Sequence, residues 1–191
     1  AYSGNQDAAP SESAILPYTV DKAGTTVGVT SSPQPTVFGQ QTVLTATVSL
    51  PAPGAALPTG SVEFFADGNS IGSGVLADGN ATLAYAALGV AAHSITAQYS
   101  GDANYNTSTS ASYTHTVNQA ATSASVTTQP NPSAFGADVE FTATVTVLPP
   151  GAGAPTGSVT FRDGADEVGT SSVLNGVANI TSPGLTVGSH T

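Results

Sequence analysis

The stretch "PTGSVEFFADG", Pro58 to Gly68, returns later in the chain as "PTGSVTFRDG", Pro155 to Gly164. Pro155 stands 97 residues after Pro58 (155 − 58). The same offset links Phe38-Gly39 to Phe135-Gly136, "TATV" at Thr45–Val48 to Thr142–Val145, and Leu88 and His93 to Leu185 and His190. It also links "YSG" at Tyr2–Gly4 to Tyr99–Gly101, and Thr19-Val20 to Thr116-Val117. One register held at so many places is the signature of a repeat array. Solenoid units run at about 20–50 residues, so a period of this length points to a self-contained domain with its own core.

Within each period the polarity alternates. In "TVLTATVSL" (Thr42–Leu50), Leu44, Ala46 and Val48 share one face while Thr45, Thr47 and Ser49 share the other. That period of two marks a half-buried strand. Ser61–Phe65 turns Val62 and Phe64 inward, and Asn80–Tyr85 turns Ala81 and Leu83 inward. His93–Tyr99 places His93, Ile95, Ala97 and Tyr99 on one face, and Ser110–Val117 does the same for Ala111, Tyr113, His115 and Val117. Gly-, Pro- and Asp-rich turn signals separate these runs, and no run carries a capped helical period. About seven such strands per repeat predict an all-β fold of tandem immunoglobulin-like Greek-key β-sandwiches, lacking the usual disulfide and buried Trp. The expected core is Phe38, Leu44, Val48, Val62, Phe64, Leu83, Ile95 and Tyr99, with Phe135 and Phe161 among the counterparts.

Composition excludes several functions. The chain has 191 residues, no Cys, Met or Trp, only two cationic side chains (Lys22 and Arg162), and a formal net charge of −10. Two cations cannot neutralise a row of phosphates, so nucleic acid is excluded as a partner, and an anionic membrane surface is disfavoured. No apolar run reaches the length of a spanning helix, so no membrane insertion is expected in this segment. Without Cys there is no disulfide, thiolate nucleophile or zinc-thiolate site. The chain opens on Ala rather than Met, which reads as a processed chain or an excised fragment.

The quoted stretches carry a family resemblance. "PTVFGQQTVLTATV", "PTGSVEFFADG", "LGVAAHSITAQYSGDANYNTSTS" and the closing "HTV" resemble the group 3 type of bacterial Ig-like repeat, found in tandem in large surface and secreted proteins. The likeness spans essentially the whole chain. It departs at Thr42, where an apolar residue is more usual, and at "FRDG", which reads as a shortened "FFADG". The resemblance implies a stalk, spacer, filament or adhesive arm at the cell surface or outside the cell.

The register divides the chain. Residues 24–120 form a complete repeat, and residues 121–191 form a repeat without its last strands. Residues 1–23 resemble the terminal strands of a preceding repeat, or a donor segment, with Ser13–Val20 as the last strand. Two readings of these ends stand: a piece of a longer array, which the continuous register favours, or head-to-tail assembly of identical subunits by strand complementation. The latter would leave the shared strand three residues short.

Candidate chemistry is sparse. His93 and His190 recur at one repeat position and read as structural, an imidazole tying down a corner by hydrogen bonds. His115 aligns with Tyr18 and reads as an incidental strand residue. Asp67, Asp78, Asp102 and Asp163 sit in turns, where Asp bonds its own backbone. Calcium is the functional alternative, with Asp102 and Asn104 in one loop and Asp163, Asp166 and Glu167 in another, although neither has the spacing of a calcium loop. No nucleophile elbow, zincin helix or phosphate loop occurs, so no catalytic or cofactor-binding residue is expected. The expected partners are neighbouring Ig-like repeats. A glycan- or protein-binding adhesin module is an alternative, and Tyr105 is its one loop aromatic. An accessory domain of a secreted hydrolase is another.

Overall fold

The computed structural model describes residues 1–50 and 56–191. Among these residues fourteen strands follow one another: β1 (Thr26–Ser32), β2 (Thr36–Val37), β3 (Thr42–Ser49), β4 (Ser61–Ala66), β5 (Asn69–Val75), β6 (Asn80–Tyr85) and β7 (Ala91–Tyr99), then β8 (Ser108–Thr109), β9 (Tyr113–Asn118), β10 (Thr122–Gln129), β11 (Val139–Val147), β12 (Ser158–Asp163), β13 (Asp166–Ser172) and β14 (Val177–Ser182). Among the described residues no helix is long and apolar enough to cross a membrane.

The first repeat is a two-sheet sandwich. One sheet runs β1-β3-β6; the other runs β2-β9-β7-β4-β5, with β8 on β7. The pairs are antiparallel except β2 with β9, where Thr36 and Val37 run parallel to Val117 and Asn118. Alternating side chains meet between the sheets. Leu44, Val62, Phe64, Ile95, Ala97 and Tyr99 are fully buried there, and Leu83 packs at their margin. Thr42 is buried too, and its hydroxyl donates to the Pro33 carbonyl at 3.1 Å. That bond lets a polar side chain stand at an apolar position.

The second repeat reproduces five strands of the first, and the counterpart of β2, Ser133–Ala134, forms none. β10-β11-β14 reproduces β1-β3-β6, and β12-β13 reproduces β4-β5. Even the bulge recurs, between Phe64 and Phe65 in β4 and between Phe161 and Arg162 in β12. "FRDG" is not a shortening: β12 and β13 keep the full register of β4 and β5, and the Asp-Gly step has moved one residue earlier. Counterparts of β7 and β9 do not occur within residues 122–191. The inner face is therefore an open groove of about 1170 Å³, lined by Val126, Val139, Phe141, Phe161, Leu185 and His190 among others. Its core is small: Ala143, Phe161 and Ala178, with Phe141 edge-on to Phe161 at 6.2 Å.

Two expected core aromatics are not in the core. Phe38 is 44% exposed and Phe135 is 79% exposed. β2 runs beside the end of β9 and delivers Phe38 to the end of the sandwich, so its ring leaves the space between the sheets. In the head segment, Ser13–Val20 pairs with neither repeat and joins no sheet, and Ile15, Leu16, Tyr18 and Val20 are exposed. A strand of this kind needs a neighbour such as β7, and none lies beside it.

Candidate functional site

The polar side chains singled out by the sequence gather at the corners and ends of the sandwiches. At one corner, the imidazole of His93, early in β7, bridges two acceptors. Nδ1–H donates to Asp67 Oδ2 at 2.7 Å, and Nε2–H donates to the Gly89 carbonyl at 2.9 Å. The other Asp67 oxygen accepts the Ser94 amide at 2.8 Å. Both ring nitrogens face acceptors, so the geometry favours the doubly protonated imidazolium. The Asp67 hydrogen bond, then the Gly89 carbonyl, hold His93 above the ordinary histidine range. The same bond, then the Ser94 amide, hold Asp67 below the usual carboxylate range.

His190 repeats the device with a different carboxylate. Nδ1–H donates to Asp163 Oδ2 at 2.6 Å, and Nε2–H donates to the Thr186 carbonyl at 2.8 Å. Thr191 N donates to Asp163 Oδ1 at 3.1 Å. Asp163 aligns with Ala66 rather than Asp67, yet it reaches the same place. The pin therefore survives the shift of the Asp-Gly step. The Thr186 carbonyl, then Asp163, raise His190, and the His190 hydrogen bond lowers Asp163.

His115 is not incidental. It is fully buried and lies directly opposite His93 across the β7–β9 pair. Nδ1 meets the Ser31 hydroxyl at 2.8 Å and Nε2 meets the Thr36 hydroxyl at 2.9 Å. Hydroxyls both donate and accept, so a neutral ring satisfies both contacts. Burial, then the nearby His93 charge, push His115 below the ordinary histidine range. NMR titration of the three imidazoles is expected to place His93 and His190 above about 6.5 and His115 below it. Three coincident midpoints would contradict the pins. By linkage, the raised His93 contributes stability that is full below about pH 6.5 and fades as pH rises through its folded value. The lowered Asp67 contributes stability present above about pH 4 and lost as pH falls through its folded value.

Asp102 organises the loop at the far end of β7. Its Oδ2 accepts the Thr59 amide at 2.9 Å and the Thr59 hydroxyl at 3.0 Å. Its Oδ1 accepts the amides of Asn104 at 2.8 Å and Tyr105 at 2.9 Å. These donors, Thr59 first, hold the carboxyl far below its usual range. The Tyr99 hydroxyl donates to the Thr59 carbonyl at 2.7 Å, and burial pushes that phenol up to about 12. Tyr105, the one loop aromatic of the adhesin alternative, is buried, and its hydroxyl donates to the Ala56 carbonyl at 2.5 Å. The calcium candidates are otherwise engaged or apart: Asp102 serves backbone amides, Asp163 serves His190, and Glu167 lies 4.0 Å from Arg162. Among the described residues no three His, Asp or Glu converge on a metal-sized site.

The head segment and the junction complete the polar map. Tyr2 bridges Ser11, matching Tyr99 with Ser108, and Gly4 at φ +76° matches Gly101 at +73°. Asn5 Oδ1 accepts the amides of Asp7 and Ala8, as Asp102 Oδ1 does those of Asn104 and Tyr105. At the junction, Gln119, Ala120 and Ala121 alone separate β9 from β10. There Ala152 N donates to the Phe38 carbonyl at 3.1 Å and Leu148 N donates to the Ala121 carbonyl at 2.8 Å.

The family model described as bacterial Ig-like domain (group 3) matches residues 29–118 and 126–191. No curated protein matches the chain. Among solved structures, the chain is similar to the fibronectin(III)-like modules of Clostridium thermocellum CbhA, at 16% identity and a TM-score of 0.36, covering 83% of this chain and 80% of that one. It is also similar to the three N-terminal domains of the bacteriophage RB49 Highly Immunogenic Outer Capsid protein (Hoc), at 17% identity and a TM-score of 0.33, covering 83% of this chain and 58% of that one.

Proposed function

The chain belongs to the bacterial Ig-like domain (group 3) family, and from that premise we propose that it is a non-catalytic spacer segment of an extracellular or cell-surface bacterial protein. The observation that carries this reading is the junction, where three residues separate two sandwiches and a backbone hydrogen bond, from Ala152 N to the Phe38 carbonyl, crosses from one to the other. Each repeat then adds one stiff unit to the reach of the protein. The polar residues that catalysis would recruit are committed to corners: His93 and His190 to Asp pins, and Asp102 to loop amides. The net charge of −10 keeps copies apart and soluble. Small-angle X-ray scattering of the full chain is expected to give one elongated particle whose maximum dimension is the same at low and high salt. An ensemble spanning bent and extended shapes would overturn the spacer reading.

A second reading, assembly by strand addition, draws support from the open groove and the head segment. Leu16, Tyr18 and Val20 form an exposed period-two row at the register of Tyr113, His115 and Val117, the inward row of β9. A strand of that pattern suits the groove lined by Phe141 and Phe161. Light scattering would show oligomers growing with concentration and abolished by deleting residues 1–21. A monomer at every concentration, with no binding of a peptide spanning residues 11–21, would sink it.

A further inference from the structure

We propose that the repeated Phe-Gly step is an inter-repeat lock, and that Phe135 and Gly136 form the docking surface for the Pro-Gly-Ala loop of a following repeat of this kind. The proposal rests on the spacer reading and gives its stiffness a cause.

The lock is already made once within the chain. Phe38 N donates to the Asn118 carbonyl at 2.9 Å, which fixes Phe38 beside the last residue of β9. Its own carbonyl accepts from Ala152 N across the junction. Its ring lies over Gly153, where a β-carbon would stand 3.0 Å from Cε1. A β-carbon on Gly39 would run into the backbone of Ala152, and one on Gly151 would stand 2.5 Å from the β-carbon of Ala120. The loop from Leu148 to Gly153 is thus seated between the Phe-Gly step on one side and the linker on the other. Glycine stands at three of these close approaches, Gly39, Gly151 and Gly153; the first two recur as Gly136 and Gly54, while Ala56 takes the place of Gly153. Two domains on a short linker move freely unless something other than the linker fixes their angle; here the knob and its seat do so.

The second repeat carries the same knob in the same conformation. Gly136 has φ +80° against +78° for Gly39. The turn bond Ala137 N to the Ala134 carbonyl at 3.0 Å matches Gln40 N to the Val37 carbonyl at 2.9 Å. What differs is the surroundings. A β-carbon on Gly136 would meet nothing within 4 Å, whereas Gly39 is closed in by Ala152. Phe135 stands 79% exposed where Phe38, with both its seat and the end of β9 beside it, stands 44% exposed. The seat also recurs in sequence: Pro150-Gly151-Ala152 has its counterpart at Pro53-Gly54-Ala55, which lies outside the described residues. One knob and one seat per period is a head-to-tail contact that repeats along the array, and it imposes the same angle at every junction.

The chain contains no cysteine, so spin labels can be placed at will. Ser73→Cys and Thr170→Cys put labels on equivalent exposed positions of β5 and β13. The inter-label distance distribution is expected to be single and narrow in the wild-type background. Phe38→Ala and Gly151→Ala are each expected to broaden it at least about twofold, toward the mobility of domains joined by linker alone. Phe38 lies outside the core, so the thermal midpoint of the first repeat stays within a few degrees, which separates loss of the lock from unfolding. Phe135→Ala leaves this distribution unchanged. Appending residues 95–191 after Thr191 continues the register and supplies a following repeat. In that extended chain, with labels moved to the second junction, Phe135→Ala broadens the distribution as Phe38→Ala does at the first. A distribution that stays narrow in Phe38→Ala and Gly151→Ala overturns the lock while leaving the spacer reading intact. A broad distribution in the wild-type background overturns the spacer reading itself. A second junction indifferent to Phe135→Ala overturns the docking surface.

Discussion

Phe64→Ala is expected to lower the unfolding free energy of the first repeat by about 3–5 kcal/mol, the range for deleting a buried ring from a closed core. Phe64 is fully buried, opposite Ala97 of β7 and Gly72 of β5, within the cluster that includes Leu44, Val62 and Ile95. The lost ring leaves a cavity walled by two sheets, which cannot collapse without breaking strand pairing. Phe161→Ala, at the same place in the second repeat, is expected to cost no more than about half as much. Phe161 faces the open groove, and its few neighbours can settle into the space left by the ring. Urea unfolding separates the two, because every tyrosine lies in the head segment or the first repeat and none in residues 122–191. Tyrosine fluorescence therefore follows the first repeat, while far-UV circular dichroism follows both. Equal losses from the two substitutions would mean that the groove is closed in solution.

His115→Ala is expected to cost about 2–4 kcal/mol near pH 7.5, combining a cavity with a hydroxyl left unpaired. The Thr36 hydroxyl is buried and its hydrogen bond is to His115 Nε2, so the variant strands it. The difference between wild type and variant is further expected to narrow on acidification. Burial lowers the folded-state value of His115, so below about pH 6.5 the unfolded wild-type chain takes up a proton that the folded one resists. The variant lacks that group and escapes the penalty. His93 is raised in both and cancels from the comparison. Urea titrations at pH 7.5 and 5.5 decide the matter, and a gap that widens at pH 5.5 would mean that His115 is charged in the folded state.

The sequence by itself determined the repeat, the strands and the sandwich. Those features are periodic or local: the offset that carries "PTGSV" from Pro58 to Pro155, and the alternation that sends Leu44, Ala46 and Val48 inward. Alternation assigns a face within a strand and says nothing of which strand lies opposite. Phe38 and Phe64 recur with equal fidelity, and repetition alone cannot tell a core ring from a junction ring. Phe38 was sorted by β2, two residues long, whose partner β9 lies some 80 residues away in sequence. The same separation hid the role of His115, whose Ser31 and Thr36 partners come from the other end of the repeat. The Asp partners of His93 and His190 occupy different repeat positions, yet each carboxylate meets its imidazole because a hairpin turn presents a small volume rather than a single residue. Fold class follows from pattern, which is written along the chain. The corners, the buried histidine and the junction follow from long-range closure, which exists only once the two sheets have met.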